Sequence, residues 1–269
     1  MLGPDPGPTP AAEPLPPPTV AVEGLTKTFY DEARGEVRAV DGVSFACARG
    51  EIFGLLGANG AGKTTTLRML STILRPSGGS ARVMGHEVLA EPEAVRASLG
   101  FYSASTALYP RLTARETLEF FARVNRYPAE RVHARVAELV QRFGISDFQN
   151  ARVERLSSGM KQKVSIARTV VHDPPVLIFD EPTVGLDVIN ALEMQDVIRA
   201  LRGEGKTIIF STHIMSEAEK LCDRIAIVHR GRMLASGSLA ELRQATGRHY
   251  LEDIFVHYVR DGGDGRVGG

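Results

Sequence analysis

Residues 57–65 read GANGAGKTT. They match GxxxxGK[ST], in which consecutive backbone N–H groups and a lysine surround the phosphates of a nucleotide and a hydroxyl reaches its magnesium. Gly57, Ala58, Asn59, Gly60, Ala61, Gly62, Lys63, Thr64 and Thr65 are therefore candidate nucleotide-binding residues, with Thr64 aimed at the metal. A triphosphate site also needs a carboxylate on magnesium from the end of a neighbouring strand. VLIFDE supplies Asp180 directly after an apolar run, with Glu181 one residue beyond. Glu181 could polarise a water toward the γ-phosphate, or it could simply end a strand. Adjacent carboxylates repel, and one tends to hold its proton. Magnesium on Asp180 would leave Glu181 free as a base.

Two further clusters carry chemistry. LSSGM spans Leu156, Ser157, Ser158, Gly159 and Met160 at the start of an expected helix. Hydroxyls and orphan N–H groups there make either a plain helix cap or a second anion site. Two anion sites do not serve one triphosphate unless the second faces the nucleotide of another copy. His213, in STH, follows the apolar run Thr207–Ser211. It ends an expected parallel strand, the edge where such sheets place ligands, whereas the other six histidines have no constellation around them.

These groups need a scaffold. Thr19–Gly24 and Val37–Ala48 alternate apolar and polar residues as half-buried strands do. Gly50–Leu56 is a nearly continuous apolar strand, and the helix from Lys63 carries Leu67, Leu70, Ile73 and Leu74 before Pro76. Residues from about 100 to 172 read as helical. Thr113 and Glu116 form a capping box, Val132, Val136, Leu139, Val140 and Phe143 form an amphipathic stripe, and a third helix follows Gly159. Val176–Phe179 and Thr207–Ser211 are short apolar runs of the kind buried on both faces of a parallel sheet. Arg224–Val228 and Arg232–Ser236 read as a hairpin, and Ser238 with Glu241 opens helices to the end. The fold expected is α/β: a mostly parallel sheet, N-terminal antiparallel strands and an inserted α-helical subdomain. Its divisions are a disordered Pro-rich tail (1–18), a nucleotide-binding domain (19–237, helical subdomain about 100–172) and a helical extension (238–269) with a flexible Gly-rich end.

Composition narrows the function. The 269 residues carry no net charge, so no basic field draws in nucleic acid or an anionic membrane. No apolar run approaches the roughly 18 residues that span a bilayer, and the N-terminus has neither the basic start nor the apolar stretch of a signal peptide. The two cysteines, Cys47 and Cys222, read as reduced core thiols, and the chain reads as cytoplasmic.

Taken together, the phosphate loop, VLIFDE, LSSGM, GLD at 185–187 and STH resemble the ATPase subunit of ATP-binding cassette (ABC) transporters across roughly residues 19–237. The resemblance implies a head-to-tail dimer, with itself or a related subunit, that holds two ATP molecules and Mg2+ between one subunit's phosphate loop and the other's signature. It implies that Glu181 activates water, His213 contacts the γ-phosphate, Asp187 bridges subunits in the D-loop, and Phe29 (or Tyr30 beside it) stacks on adenine. It also implies a separate integral membrane permease, which would place the chain on the inner face of the membrane.

Two departures stand out. The signature usually reads LSGGQ, and here Ser158 and Met160 replace a glycine and the glutamine. The Q-loop glutamine position is occupied by Ala104, which cannot ligand magnesium or water; Ser103, Ser105 or a bound water could take its place, and the expectation is that the metal is held without a loop side chain. Ala104, GMKQKVSIAR and STHIMSEAEKLCDRIAIVHRG look most like the sodium-extrusion (NatA-type) branch, which implies an exporter. The alternative is a soluble ABC-type ATPase acting on nucleic acid or ribosomes, which the single cassette and absent positive charge disfavour. A GTPase would be expected to show NKxD, and none is present.

Overall fold

The structure, a computed structural model, describes residues 16–32, 35–103 and 106–261. The Pro-rich tail up to residue 15, Ala104, Ser105 and the Gly-rich end from 262 lie outside the described residues.

A long hairpin opens the fold. β1 (Val20–Asp31) and β2 (Gly35–Cys47) pair antiparallel, and β4 (Gly78–Val83) and β5 (His86–Glu87) complete a four-stranded sheet in the order β2-β1-β4-β5. The second sheet is built from β3 (Ile52–Leu56), β6 (Leu99–Ser103), β7 (Val176–Asp180), β8 (Thr207–Thr212), β9 (Arg224–His229) and β10 (Arg232–Gly237). Its order is β10-β9-β3-β8-β7-β6, with only the β9–β10 pairing antiparallel. β3, β7 and β8 are buried at every position, as strands covered on both faces must be.

Strand alternation divides the core in two. Phe179, Ile208 and Phe210 face the helices, whereas Ile178 and Ile209 face the antiparallel sheet and α1 (Lys63–Leu70). The helical side is formed by α3 (Ala114–Val124), α4 (Val132–Arg142), α5 (Ser158–Thr169) and α6 (Val188–Gly203). α2 (Pro92–Ser98) leads into β6. The capping box of Thr113 and Glu116 is present, and Val132, Val136, Leu139, Val140 and Phe143 are all buried. A third cluster joins α7 (Met215–Leu221), α8 (Leu239–Thr246) and α9 (Leu251–Asp261) to Leu56 and Ile227 of the sheet.

Two expectations change. Residues 99–103, placed at the start of the helical stretch, are instead the edge strand β6, parallel to β7 from Leu99↔Val176 to Ser103↔Asp180. The helix after the phosphate loop stops at Leu70 and does not reach Ile73. The Ser71 hydroxyl donates to the Leu67 carbonyl, Thr72 takes a left-handed φ of 58°, and Ile73 is left exposed.

Candidate functional site

The phosphate loop joins β3 to α1, beside the carboxyl ends of β7 and β8. Its glycines are set by crowding. A Cβ on Gly57 would lie 2.4 Å from the Val228 carbonyl oxygen, and one on Gly62 would lie 2.6 Å from that of Ala39, with φ already at 105°. The first turn of α1 leaves the N–H groups of Lys63, Thr64 and Thr65 without intrahelical acceptors, so they face the cleft lined by Asn59–Thr65, Ala39 and Glu181. Lys63 is buried. Its Nζ donates to the carbonyls of Gly57 (2.7 Å) and Ala58 (3.2 Å) and lies 3.0 Å from Glu181 Oε1.

Strand order supplies the acids. β8 lies between β3 and β7, and Asp180 at the end of β7 accepts from Thr64 Oγ1 (3.0 Å) and Ser211 Oγ (2.7 Å). Burial pushes the Asp180 carboxyl up from its ordinary value and nearby Glu181 adds to the rise, while the two hydroxyl hydrogen bonds pull it down. Glu181 then breaks the strand with a left-handed φ of 47°, its N–H donating to Ser211 Oγ (3.0 Å). That turn brings its carboxylate between two cations or potential cations: Lys63 on Oε1 and His213 Nδ1 at 3.0 Å from Oε2. Such backbone outliers concentrate at functional sites.

The donor set suits MgATP. Thr64 Oγ1 and Asp180 Oδ1 are hard oxygens held side by side, and a divalent cation would offset the cost of burying Asp180. Among the described residues no group of three or more His, Cys, Asp or Glu side chains is arranged to hold a metal alone. Magnesium characteristically takes one or two protein ligands and completes its shell with phosphate and water.

The signature lies elsewhere in the chain. Ser157 caps α5 by accepting the Met160 N–H at 3.3 Å, Leu156 is buried, and Ser157 and Ser158 are exposed. Ser158 and Gly159 line two clefts of about 450 and 330 Å3, neither of which includes a phosphate-loop residue. Asp187 caps α6 through the Asn190 N–H (2.9 Å) and Nδ2 (2.5 Å), and these bonds hold its carboxyl below the usual range. Asn190 also lies close to Gly159, so the D-loop and the signature form one surface. Phe29 is 40% exposed with Lys27 Nζ 5.1 Å from its ring centroid, and Tyr30 is 85% exposed. Neither lines the cleft at the phosphate loop. Ala104 lies outside the described residues.

Sequence reasoning passed over Ser211, which organises both acids, and Asn190, which ties Asp187 to the signature. A hydroxyl one residue before TH at a strand end was the available signal for Ser211.

The ABC transporter family profile matches residues 40–184. The ABC transporter ATP-binding protein NatA of Bacillus subtilis is 40% identical over 88% of this chain and 96% of its own. The daunorubicin resistance ATP-binding protein DrrA3 of Streptomyces coeruleorubidus is also 40% identical, over 87% of this chain and 73% of its own. A dimeric ATP-binding cassette solved in a post-hydrolysis state with ADP and Pi superposes with a TM-score of 0.73 at 25% identity, covering 81% of this chain and 98% of that one. With a nucleotide cleft of this construction, a family profile over residues 40–184 and a relative 40% identical along 96% of its own length, the chain belongs to the ABC transporter family as an ATP-binding ATPase subunit.

Proposed function

We propose that this chain powers a membrane exporter carried on a separate permease polypeptide, working as a head-to-tail dimer with itself or a related subunit on the inner, cytoplasmic face of the membrane. The observation that carries the ATPase reading is the convergence of Thr64 on Asp180 at 3.0 Å and of both Lys63 and His213 on Glu181 at 3.0 Å. Lys63 and the first N–H groups of α1 bind and orient the β- and γ-phosphates. Thr64 and Asp180 would hold Mg2+, which would supply charge neutralisation on the transferring phosphoryl group. Glu181 takes the proton of the attacking water, and His213 steadies the γ-phosphate while fixing the Glu181 carboxylate from the far side. Phe29, or Tyr30 beside it, would stack on adenine from outside the phosphate-loop cleft.

Support for the dimer comes from the outward-facing signature. Ser157 and Ser158 are exposed, and the clefts lined by Ser158 and Gly159 include no residue of the chain's own phosphate loop, so these hydroxyl and N–H groups are free to serve the nucleotide of a partner, with Asp187 at the same surface bridging the subunits. No described helix is long and apolar enough to cross a membrane, and in this reading the permease carries the transport path. The intended cargo is sodium, supported by the match along 96% of NatA. A second reading, export of a drug such as daunorubicin, is favoured by the equal 40% identity to DrrA3.

The test is reconstitution with the permease in vesicles. ATP-dependent sodium flux supports the first reading and drug flux without sodium flux the second. Hydrolysis of ATP strictly by a monomer would overturn the dimeric mechanism, and co-purification with ribosomes or DNA in place of an integral membrane protein would overturn transport.

A further inference from the structure

The turn that carries His213 is held by a second acidic residue with no part in the chemistry described so far. Glu217 lies in the first turn of α7 and is 5% exposed. Its Oε2 accepts from Thr212 Oγ1 at 2.7 Å, and the same hydroxyl oxygen accepts the Ile214 N–H at 3.0 Å. The Thr212 carbonyl accepts the Gly57 N–H at 3.3 Å. In register, Thr212 pairs with Leu56, the last residue before the phosphate loop. Thr212 is thus fastened through its main chain to the phosphate loop and through its side chain to the residues on the far side of His213.

Completing a helix cap does not require that the carboxylate be buried. Glu116 and Glu241 complete the caps of α3 and α8 while exposed to solvent. Glu217 does its work buried, against a hydroxyl, where an anion is costly. The other side of α7 is anchored as well. Glu219 Oε1 accepts the Leu251 N–H at 3.3 Å and lies 3.7 Å from Arg243 Nη2, and Ala218 packs in one cluster with Leu56, Ile227 and Ile254. The C-terminal helices therefore brace the helix on which Glu217 sits.

We propose that Thr212 and Glu217 are positioning residues for hydrolysis: their hydrogen bond sets the 212–214 turn and so holds His213 in register with Glu181 and the phosphate loop. This rests on the reading that His213 and Glu181 serve the γ-phosphate. Losing the bond frees the turn to rotate, and a displacement of about 1 Å in a reacting group can cost about 100-fold. Nucleotide affinity rests on the phosphate loop, so the loss falls on kcat and not on KM.

The experiment measures basal ATPase of the full chain with matched pairs of variants. Thr212→Val and Glu217→Leu, which remove the donor and the acceptor, are expected to lower kcat at least about tenfold with KM for ATP within about twofold. Thr212→Ser and Glu217→Gln, which keep the bond, retain kcat within about twofold. In a His213→Ala background, Glu217→Leu adds no further loss, because the residue it positions is gone. Should Thr212→Val and Glu217→Leu keep parental kcat, or should their losses multiply with that of His213→Ala, the pair is only a helix cap and the inference falls while the catalytic reading stands. Parental turnover by His213→Ala would overturn the catalytic role of His213 and this inference with it. If Glu217→Leu does not fold, the Thr212→Val and Thr212→Ser pair decides at matched ATP affinity.

Discussion

The phosphate-loop region and the signature region use the same devices, helix N-termini and short polar side chains, and finish them in opposite ways. Around Lys63 the groups are closed within the chain: its ammonium meets Glu181, Thr64 meets Asp180, and His213 meets the other oxygen of Glu181. Lys63 and Asp180 are both buried. Around Ser157 the groups are presented outward. Ser157 and Ser158 are exposed, and beside Asp187 the apolar Val188 and Ile189 are 76% and 72% exposed. An apolar surface next to a polar anion-binding one is the composition of an interface patch. The contrast teaches that one half is closed within the chain while the other is presented outward, as the proposed dimer requires.

The sharpest way to break this contrast is Glu181→Gln. The finished half should lose its base and keep its metal ligands, so kcat falls by roughly 100- to 10,000-fold while MgATP still binds and traps a dimer detectable by sedimentation. Hydrolysis near the parental rate would remove Glu181 from the chemistry. Lys63→Ala comes next. It deletes a buried cation facing the phosphates and leaves Glu181 without that partner, a change worth about 2–5 kcal/mol, so ATP affinity measured by titration calorimetry should drop roughly 30-fold or more. Unchanged binding would contradict the phosphate-loop assignment.

Ser157→Ala tests the outward half. Loss of the α5 cap should cost about 1 kcal/mol, or a melting temperature about 2–4 °C lower. The ATP affinity of the monomer should be unchanged and MgATP-dependent dimerisation weaker. A fall in monomer affinity would mean that the two halves meet within one chain. The smallest effect lies outside both regions and separates their behaviour from general acid sensitivity. His172 is largely buried with Nε2 3.3 Å from the Leu99 carbonyl oxygen, and burial lowers its pKa from the ordinary 6.5. A histidine depressed in the fold contributes stability that is complete above pH 6.5 and is lost as pH falls through the lowered value. His172→Gln should therefore reduce the decline in melting temperature between pH 7 and pH 5, with ATP affinity unchanged.

The local elements were legible where their signals were local. Thr113 with Glu116 and Ser238 with Glu241 announce helix starts three residues in advance, and both capping boxes are formed. The apolar runs at 176–179 and 207–211 lie in strands buried on both faces. β6 was missed because LGFYS is five residues long and its partner, β7, lies more than seventy positions away. β4 was missed because GGSARV reads as a turn, and only pairing with β1 makes it a strand. The helix after the phosphate loop was drawn too long because Leu74 does pack in the core, but from a non-helical segment.

What the amino-acid sequence determined by itself is which groups are present and how each sits on its own element: a glycine-rich loop before a helix, two acids after an apolar strand, a serine cap opening α5. What only the tertiary structure decided is which of these groups meet. Asp180 reaches Thr64, and Glu181 stands between Lys63 and His213, because β8 separates β3 from β7 and Glu181 turns left-handed at the strand end. Strand order is a property of long-range pairing, and neither the period of a pattern nor the type of a residue specifies it.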